Sequence, residues 1–417
     1  MLSMQLKVSH VLRWAQWASK KLGWRLWVLV IAWIAHYLHG VRRVQLHLAN
    51  TSSSDTARKR MQRIIQQCPS LHMMYWPTWY AHTALQQLIV LGIKEICSAF
   101  QWSAYERQIL TLKDTARIAV DWVVPKPEDA LPNGPVCVLL HGAIQDSRSA
   151  TMKDMAKDLA KRGLLTLVMN RRGYGDLAMD AESARVTVFG FDEDLDEVLL
   201  MVGQVAPNRP IAVVGFSCGS GFAGRYGALR SHLSAWKDDN GLSKTVPRLL
   251  CVVAYDPGYD VVKAMQKVPR PYRWGLDLAF RYQYVYRHRE TWNQKSPSSA
   301  EVVKLALDPG RGFNEVYRNV TKLAGFGCSN AWVEKQQPDL QEMQVPCLLI
   351  NSRDDPICIW ENVEEHKSAI EKNPFLALAE LQRGSHGCKF DFWGYNSVGN
   401  RMIGDFVLAS WEELKRS

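Results

Sequence analysis

The stretch Ile211-Ala-Val-Val-Gly-Phe-Ser-Cys-Gly-Ser-Gly221 decides how the rest of the chain is read. Its opening residues end in a β-branched pair and read as a buried strand. Gly215-Phe216-Ser217-Cys218-Gly219 follows, and then an amphipathic segment with helical spacing. A G-x-S-x-G between strand and helix puts the serine on a strained turn, with small residues at both Gly positions letting the hydroxyl rise over the sheet edge. An ordinary Gly-rich loop is the competing reading, and the flanking strand and helix argue against it.

Outward from this turn the pattern is strand and helix in alternation. Val136 to Leu140 is an apolar strand; Met152, Met155, Ala156 and Leu159 recur at helical spacing as far as Gly163; Leu164 to Met169 is the next strand. A helix from about Asp194 to Gln204 precedes the elbow strand. The elbow helix is expected to run to about Trp236, ahead of a strand over Leu249 to Tyr255. Upstream, Glu106 to Leu112 and Arg117 to Val124 alternate around Lys113-Asp114-Thr115-Ala116 and read as a hairpin. Continuous apolar strands alternating with helices predict a mostly parallel sheet covered on both faces. The alternation pauses over about residues 256–345, rich in Tyr, Trp and Arg, which are expected to form helices capping the active-site edge. It resumes with the strand Cys347 to Asn351, a helix near Val363 to Glu371, the strand Leu376 to Leu381 and a final helix from Val398 to Leu414.

A serine nucleophile needs a base and an orienting acid, and in such sheets the chain order is serine, acid, histidine. Asp354-Asp355-Pro356 stands at the carboxyl end of a strand, where open α/β sheets place their sites. Asp355 is taken as the acid, with Asp354 capping or supporting the turn. His386, in Gly384-Ser385-His386-Gly387, follows the last strand in a Gly-flanked loop and is taken as the base; His366 also follows the acid but falls within a helix. Two backbone amides must face the developing charge. Cys218, after the nucleophile, supplies one; Ala143, in the His141-Gly142-Ala143 loop, supplies the other, with His141 as a scaffold for that loop. His141 and Asp146 also satisfy H-x-x-x-x-D, a pattern associated with acyl transfer, but a His-Gly is expected here in any case.

The net charge of +10 invites a nucleic-acid reading, and its distribution argues against one. Residues 1–65 carry eleven Lys or Arg and one acid, while the remaining 352 residues balance at forty of each sign. The same basic segment holds the most apolar run: sixteen residues, Leu26 to Val41, without Asp, Glu, Lys or Arg, between Arg25 and Arg42-Arg43. That pairing fits a membrane surface. A spanning helix needs about twenty apolar residues, so three readings stay open: a single-pass anchor over about 24–41 in an endomembrane, an in-plane amphipathic helix, and a mitochondrial transit segment. The nine cysteines show no C-x-x-C and no regular spacing, so neither a zinc site nor a disulfide framework is expected.

The motifs together resemble the AB-hydrolase family 4 group of α/β hydrolases, which includes animal membrane-anchored lipid hydrolases, plant embryogenesis-associated proteins, fungal medium-chain ester synthase/esterases and bacterial esterases. The resemblance runs from about residue 65 to the C-terminus. It is carried by Tyr75-Trp76-Pro77-Thr78, Tyr105-Glu106-Arg107, Ile118 to Trp122, Leu140-His141-Gly142, Asn170-Arg171-Arg172-Gly173, Gly215-Phe216-Ser217, Asp354-Asp355-Pro356 and Ser385-His386-Gly387. It implies an α/β-hydrolase fold over 66–417 and a triad of Ser217, Asp355 and His386. Thr115-Ala116, Gly219-Ser220 and Ser385 depart from the Gly-rich forms usual in the family, and none touches a triad member. The expected activity is serine-dependent hydrolysis of carboxylic esters, lipid or medium-chain, without cofactor, metal or nucleic acid. Acyl transfer to an alcohol or lysolipid is the alternative, with a non-catalytic membrane adaptor behind it.

Overall fold

Nine strands build one twisted sheet in the computed structural model, which describes residues 23–49, 56–100, 105–230, 235–237, 243–245, 247–324, 329–337 and 340–416. They are β1 (Gln45–Leu48), β2 (Glu106–Thr111), β3 (Arg117–Val123), β4 (Val136–Leu140), β5 (Leu165–Met169), β6 (Ile211–Phe216), β7 (Leu249–Tyr255), β8 (Cys347–Ser352) and β9 (Leu376–Leu381). Across the sheet the order is β1-β9-β8-β7-β6-β4-β5-β3-β2. The six strands from β9 to β5 run parallel; β1, β3 and β2 are antiparallel at the two edges. Every residue of β4, β6, β8 and β9 is buried, which is why β4 and β6 read as unbroken apolar runs.

The helices, in chain order, are α1 (Trp24–Gly40), α2 (Thr56–Gln66), α3 (Ala84–Ala99), α4 (Ala150–Ala160), α5 (Asp192–Val205) and α6 (Cys218–Arg230), the last following the serine turn. Between β7 and β8 lie α7 (Val261–Lys267), α8 (Arg270–Phe280), α9 (Arg289–Lys295), α10 (Pro297–Leu307), α11 (Phe313–Leu323) and α12 (Ser329–Glu334); α13 (Trp360–Ile370) and α14 (Val398–Arg416) complete the chain. Side chains alternate across each strand, so Leu140 and Val213 pack with α5, α6 and α13 on one face, and Leu139 and Val214 with α2, α4 and α14 on the other. The segment between β7 and β8 forms its own cluster around Phe280, Tyr284, Trp292 and Trp332, joined to Phe189.

Several expectations shift. The elbow helix is described as far as Arg230, and residues 235–237, where its end was expected, instead pair antiparallel with 243–245. The hairpin turn is made with Thr115 at φ 67°, the left-handed region that a glycine enters without penalty. The sheet begins at Gln45, inside the basic segment expected to stand apart up to residue 65. From there α2 packs Ile64 and Ile65 into the core and pairs Arg63 with Glu413. The spanning anchor is not shown: among the described residues no helix is long and apolar enough to cross a membrane. The seventeen residues of α1 extend about 25 Å, short of the roughly 30 Å hydrocarbon layer. Its last turns rest on the body, where the Tyr37 hydroxyl donates to the Pro77 carbonyl at 2.9 Å. The basic residues 1–22 and the polar, Ser-rich residues 50–55 lie outside the described residues.

Candidate active site

The turn from β6 into α6 holds Ser217 at φ 54°. Its tightness explains both glycines. A Cβ at position 215 would lie 2.0 Å from the Gly219 carbonyl oxygen, and one at 219 would lie 2.2 Å from the Leu140 carbonyl oxygen. Asp256 and Ser385, at the ends of the neighbouring β7 and in the histidine loop, also take left-handed φ values of 53° and 44°. Strain of this kind collects where surrounding structure is asked to hold functional groups.

Ser217, His386 and Asp355 form one hydrogen-bonded chain. His386 Nε2 lies 2.8 Å from Ser217 Oγ, and Nδ1 lies 2.8 Å from Asp355 Oδ2. The other Asp355 oxygen accepts from the amides of Ile357 and Cys358 at 2.8 and 2.9 Å. Burial works against the Asp355 carboxylate, but the His386 charge and hydrogen bond outweigh it and hold its pKa below the ordinary value. Burial likewise lowers the imidazole, and Asp355 more than reverses this, leaving His386 raised. Asp354 turns away from the histidine ring and accepts from the Ser385 amide at 2.9 Å, bracing the loop; burial raises it to about 6.

Ala143 and Cys218 border the same cavity as Ser217. Burial raises the Cys218 thiol, while Arg171 and the backbone amides of Ala143 and Cys218 pull it down. His141 is a fixture of this loop: Nε2 accepts from the Arg171 amide at 3.2 Å and Nδ1 meets the Gly142 carbonyl at 2.8 Å. Asp146 is engaged by Arg148, at 2.8 Å from Nη2, and makes no hydrogen bond to His141. The H-x-x-x-x-D residues thus shape the loop.

The cavity over Ser217 measures about 1000 Å³. Leu88, Leu91 and Ala99 of α3 wall one side; Met265, Leu276 and Phe280 of the segment between β7 and β8 wall another. A large, mostly apolar pocket with a few convergent polar groups is the usual form of a small-molecule site.

A family model described as serine aminopeptidase, S33, matches residues 132–237, from just before β4 to beyond the elbow helix. Human monoacylglycerol lipase ABHD2 is 21% identical over 342 residues, covering 78% of this chain and 76% of that one. The Danio rerio protein of the same name is 21% identical over 335 residues with the same coverage. Among solved structures, the Pyrococcus furiosus esterase Pf2001 is 17% identical with a TM-score of 0.45, over 74% of this chain and 96% of its own. A bacterial membrane phospholipase A is 13% identical with a TM-score of 0.42, over 79% and 92%.

The chain belongs to the α/β hydrolases. It is an enzyme of the serine-hydrolase type. Two features of this α/β hydrolase escape a reading of the sequence. One is Arg171, which is buried without a carboxylate partner among the described residues: its Nη2 donates to the Gly142 carbonyl and meets His141 Nδ1 at 2.9 Å, while Nε and Nη1 have no hydrogen-bond partner there. The other is the fully buried pair Asp256–Lys389. Asp256 also accepts from the Gly387 amide at 2.6 Å and so fixes the residue after His386. An acid at the end of the strand beside the elbow strand, and a lysine three residues past the histidine, were the available signals. Asp355, Cys358 and His386 form the one cluster among the described residues with ligand atoms close enough for a metal ion, within 4.8 Å. The α/β hydrolase uses those atoms otherwise, since Cys358 Sγ donates to the Asp256 carbonyl and the other two bond each other.

Proposed function

We propose that the protein hydrolyses carboxylic esters of lipids through a Ser217-His386-Asp355 triad. The observation that carries this is the unbroken hydrogen-bonded chain from Asp355 to Ser217 ending in the large apolar cavity. The Ser217 hydroxyl attacks the ester carbonyl as His386 Nε2 takes its proton, and Asp355 holds the Nδ1–H and steadies the imidazolium. Charge on the carbonyl oxygen is received by the Ala143 and Cys218 amides. As the tetrahedral centre collapses, His386 returns the proton to the leaving alcohol, and water then attacks the acyl-serine with the same base.

An acyl chain fits walls of Leu, Met, Ala and Phe, and the lipase name of the relatives agrees with an ester substrate. The apolar, acid-free α1 supports work at a membrane, with the helix lying on the surface rather than crossing it. Release of fatty acid from long-chain acylglycerol dispersed in vesicles tests the reading. Wild type is expected to release it, and S217A to release none above background. Equal release by the two would overturn it.

A further inference from the structure

Beside the cavity lies an exposed apolar surface. On α1 the side chains of Trp24, Val28, Leu29, Ile31, Ile34 and Leu38 are exposed, Trp24 at 72% and Leu29 at 67%. Trp33, His36, Tyr37 and Gly40 rest on the body, through Trp79, His82, Phe392 and Arg383. On α3 a second stripe, Leu85, Ile89, Ile93 and Ile96, is exposed at helical spacing and runs on to Phe100, which is 87% exposed. A soluble helix hides such a stripe against a core. Here the hidden side of α3 is already in use, since Leu88, Leu91 and Ala99 line the cavity over Ser217.

The two helices are joined across one face by aromatic residues. Trp33 meets Trp79, Tyr37 meets Phe392, and Phe392 meets Trp393; the Tyr80 hydroxyl donates to the Trp393 carbonyl at 3.3 Å, and Lys94 of α3 donates to the Tyr395 carbonyl at 2.9 Å. Trp76, Trp79, Tyr80, Trp393 and Tyr395 are themselves exposed. Trp and Tyr at a rim suit the boundary between water and hydrocarbon. Charge points the same way. Helix α1 contains no acid, and the one acid of α3, Glu95, turns inward to accept from the Ala150 amide at 2.7 Å. Arg25, Arg42 and Arg43 stand exposed at the ends of α1.

We infer that α1 and α3 form a single seat on an anionic phospholipid bilayer, sunk to headgroup depth, and that α3 serves at once as membrane contact and as cavity wall. Burial of about 5–10 Å is what in-plane helices reach, and the basic residues at the ends of α1 match anionic headgroups. An ester leaving the bilayer then passes along α3 into the cavity without crossing bulk water. This rests on the lipid-ester reading of the site.

Flotation of the full-length protein with vesicles of phosphatidylcholine containing a minor phosphatidylserine fraction tests the seat. The exposed double substitutions L29E/I31E on α1 and I89E/I93E on α3 touch neither the cavity nor the hydrogen-bonded chain. Wild type and S217A are expected to float, and each double variant to lose partitioning about tenfold or more, as apolar contact area is replaced by charge. The variants should hydrolyse a short water-soluble ester within about twofold of wild type and lose the vesicle-borne substrate in parallel with flotation. Failure of wild type to float, or flotation of I89E/I93E equal to wild type, overturns the seat. So does a change in oligomeric mass with unchanged flotation, which would make the patch a contact between copies. Flotation without any ester hydrolysis would overturn the lipid-ester reading and leave the seat standing.

Discussion

The Arg171 guanidinium donates to the carbonyl of Gly142, and that carbonyl shares its peptide unit with the Ala143 amide. A positive charge on the oxygen side of a peptide polarises the N–H on its other side. The Tyr174 hydroxyl, donating to the Ala143 carbonyl at 2.9 Å, fixes the following peptide. A buried cation without an acid partner among the described residues is costly to keep, and the proposed oxyanion donor, the Ala143 amide, lies on the far side of the peptide it holds.

R171M is therefore expected to lower kcat by about 10²-fold, the order seen when one oxyanion donor is lost, with KM changed little. R171K should recover part of the loss. The thermal midpoint of R171M should stay level or rise, because an unpaired buried charge has been removed. Steady-state kinetics with calorimetry decides, and an R171M variant with wild-type kcat would contradict the role.

The pH profile follows from His386. Asp355 outweighs burial and raises the imidazole above its ordinary value of about 6.5. The base works only when neutral, so kcat/KM should rise with pH through an apparent pKa above about 6.5. D355N should cut kcat by about 10⁴-fold and move the midpoint of the residual activity down. A profile flat from acid to neutral pH would contradict it.

The Asp256–Lys389 pair is buried on both sides, so breaking it strands a charge. K389M and D256N are each expected to cost about 3–5 kcal/mol, while the double variant D256N/K389M costs less than the two together. Denaturant unfolding of the four proteins closes that cycle, and additivity would count against the pair.

The hairpin offers a gain. Thr115 sits at φ 67°, where an L side chain costs about 1 kcal/mol or more. T115G should raise stability by up to about that amount with activity unchanged, as read in a thermal melt.

These residues also mark how far the sequence can be read. The elbow, Asp355 and His386 each announce themselves in a few neighbouring residues at the end of an apolar strand, so their placement at the carboxyl edge of the sheet follows from local pattern. Arg171 and Gly142 lie 29 positions apart and Asp256 and Lys389 lie 133 apart; pairing them requires the sheet order, which periodicity does not supply. Strand β1 is four residues long at an edge, directly after a charged break, and gives no signal of its own. For α1 the apolar run was evident, but length and contacts distinguish a surface helix from a crossing one, and only the fold gives the contacts.

Ser217 is proposed as the residue that bonds covalently to the acyl group. Treating the full-length protein with a fluorophosphonate probe and mapping the adduct by peptide mass spectrometry measures this directly. A single stoichiometric adduct on the peptide holding Gly215 to Gly219, at Ser217 and absent from S217A, is the predicted result. An adduct on another residue, or undiminished labelling of S217A, would contradict it.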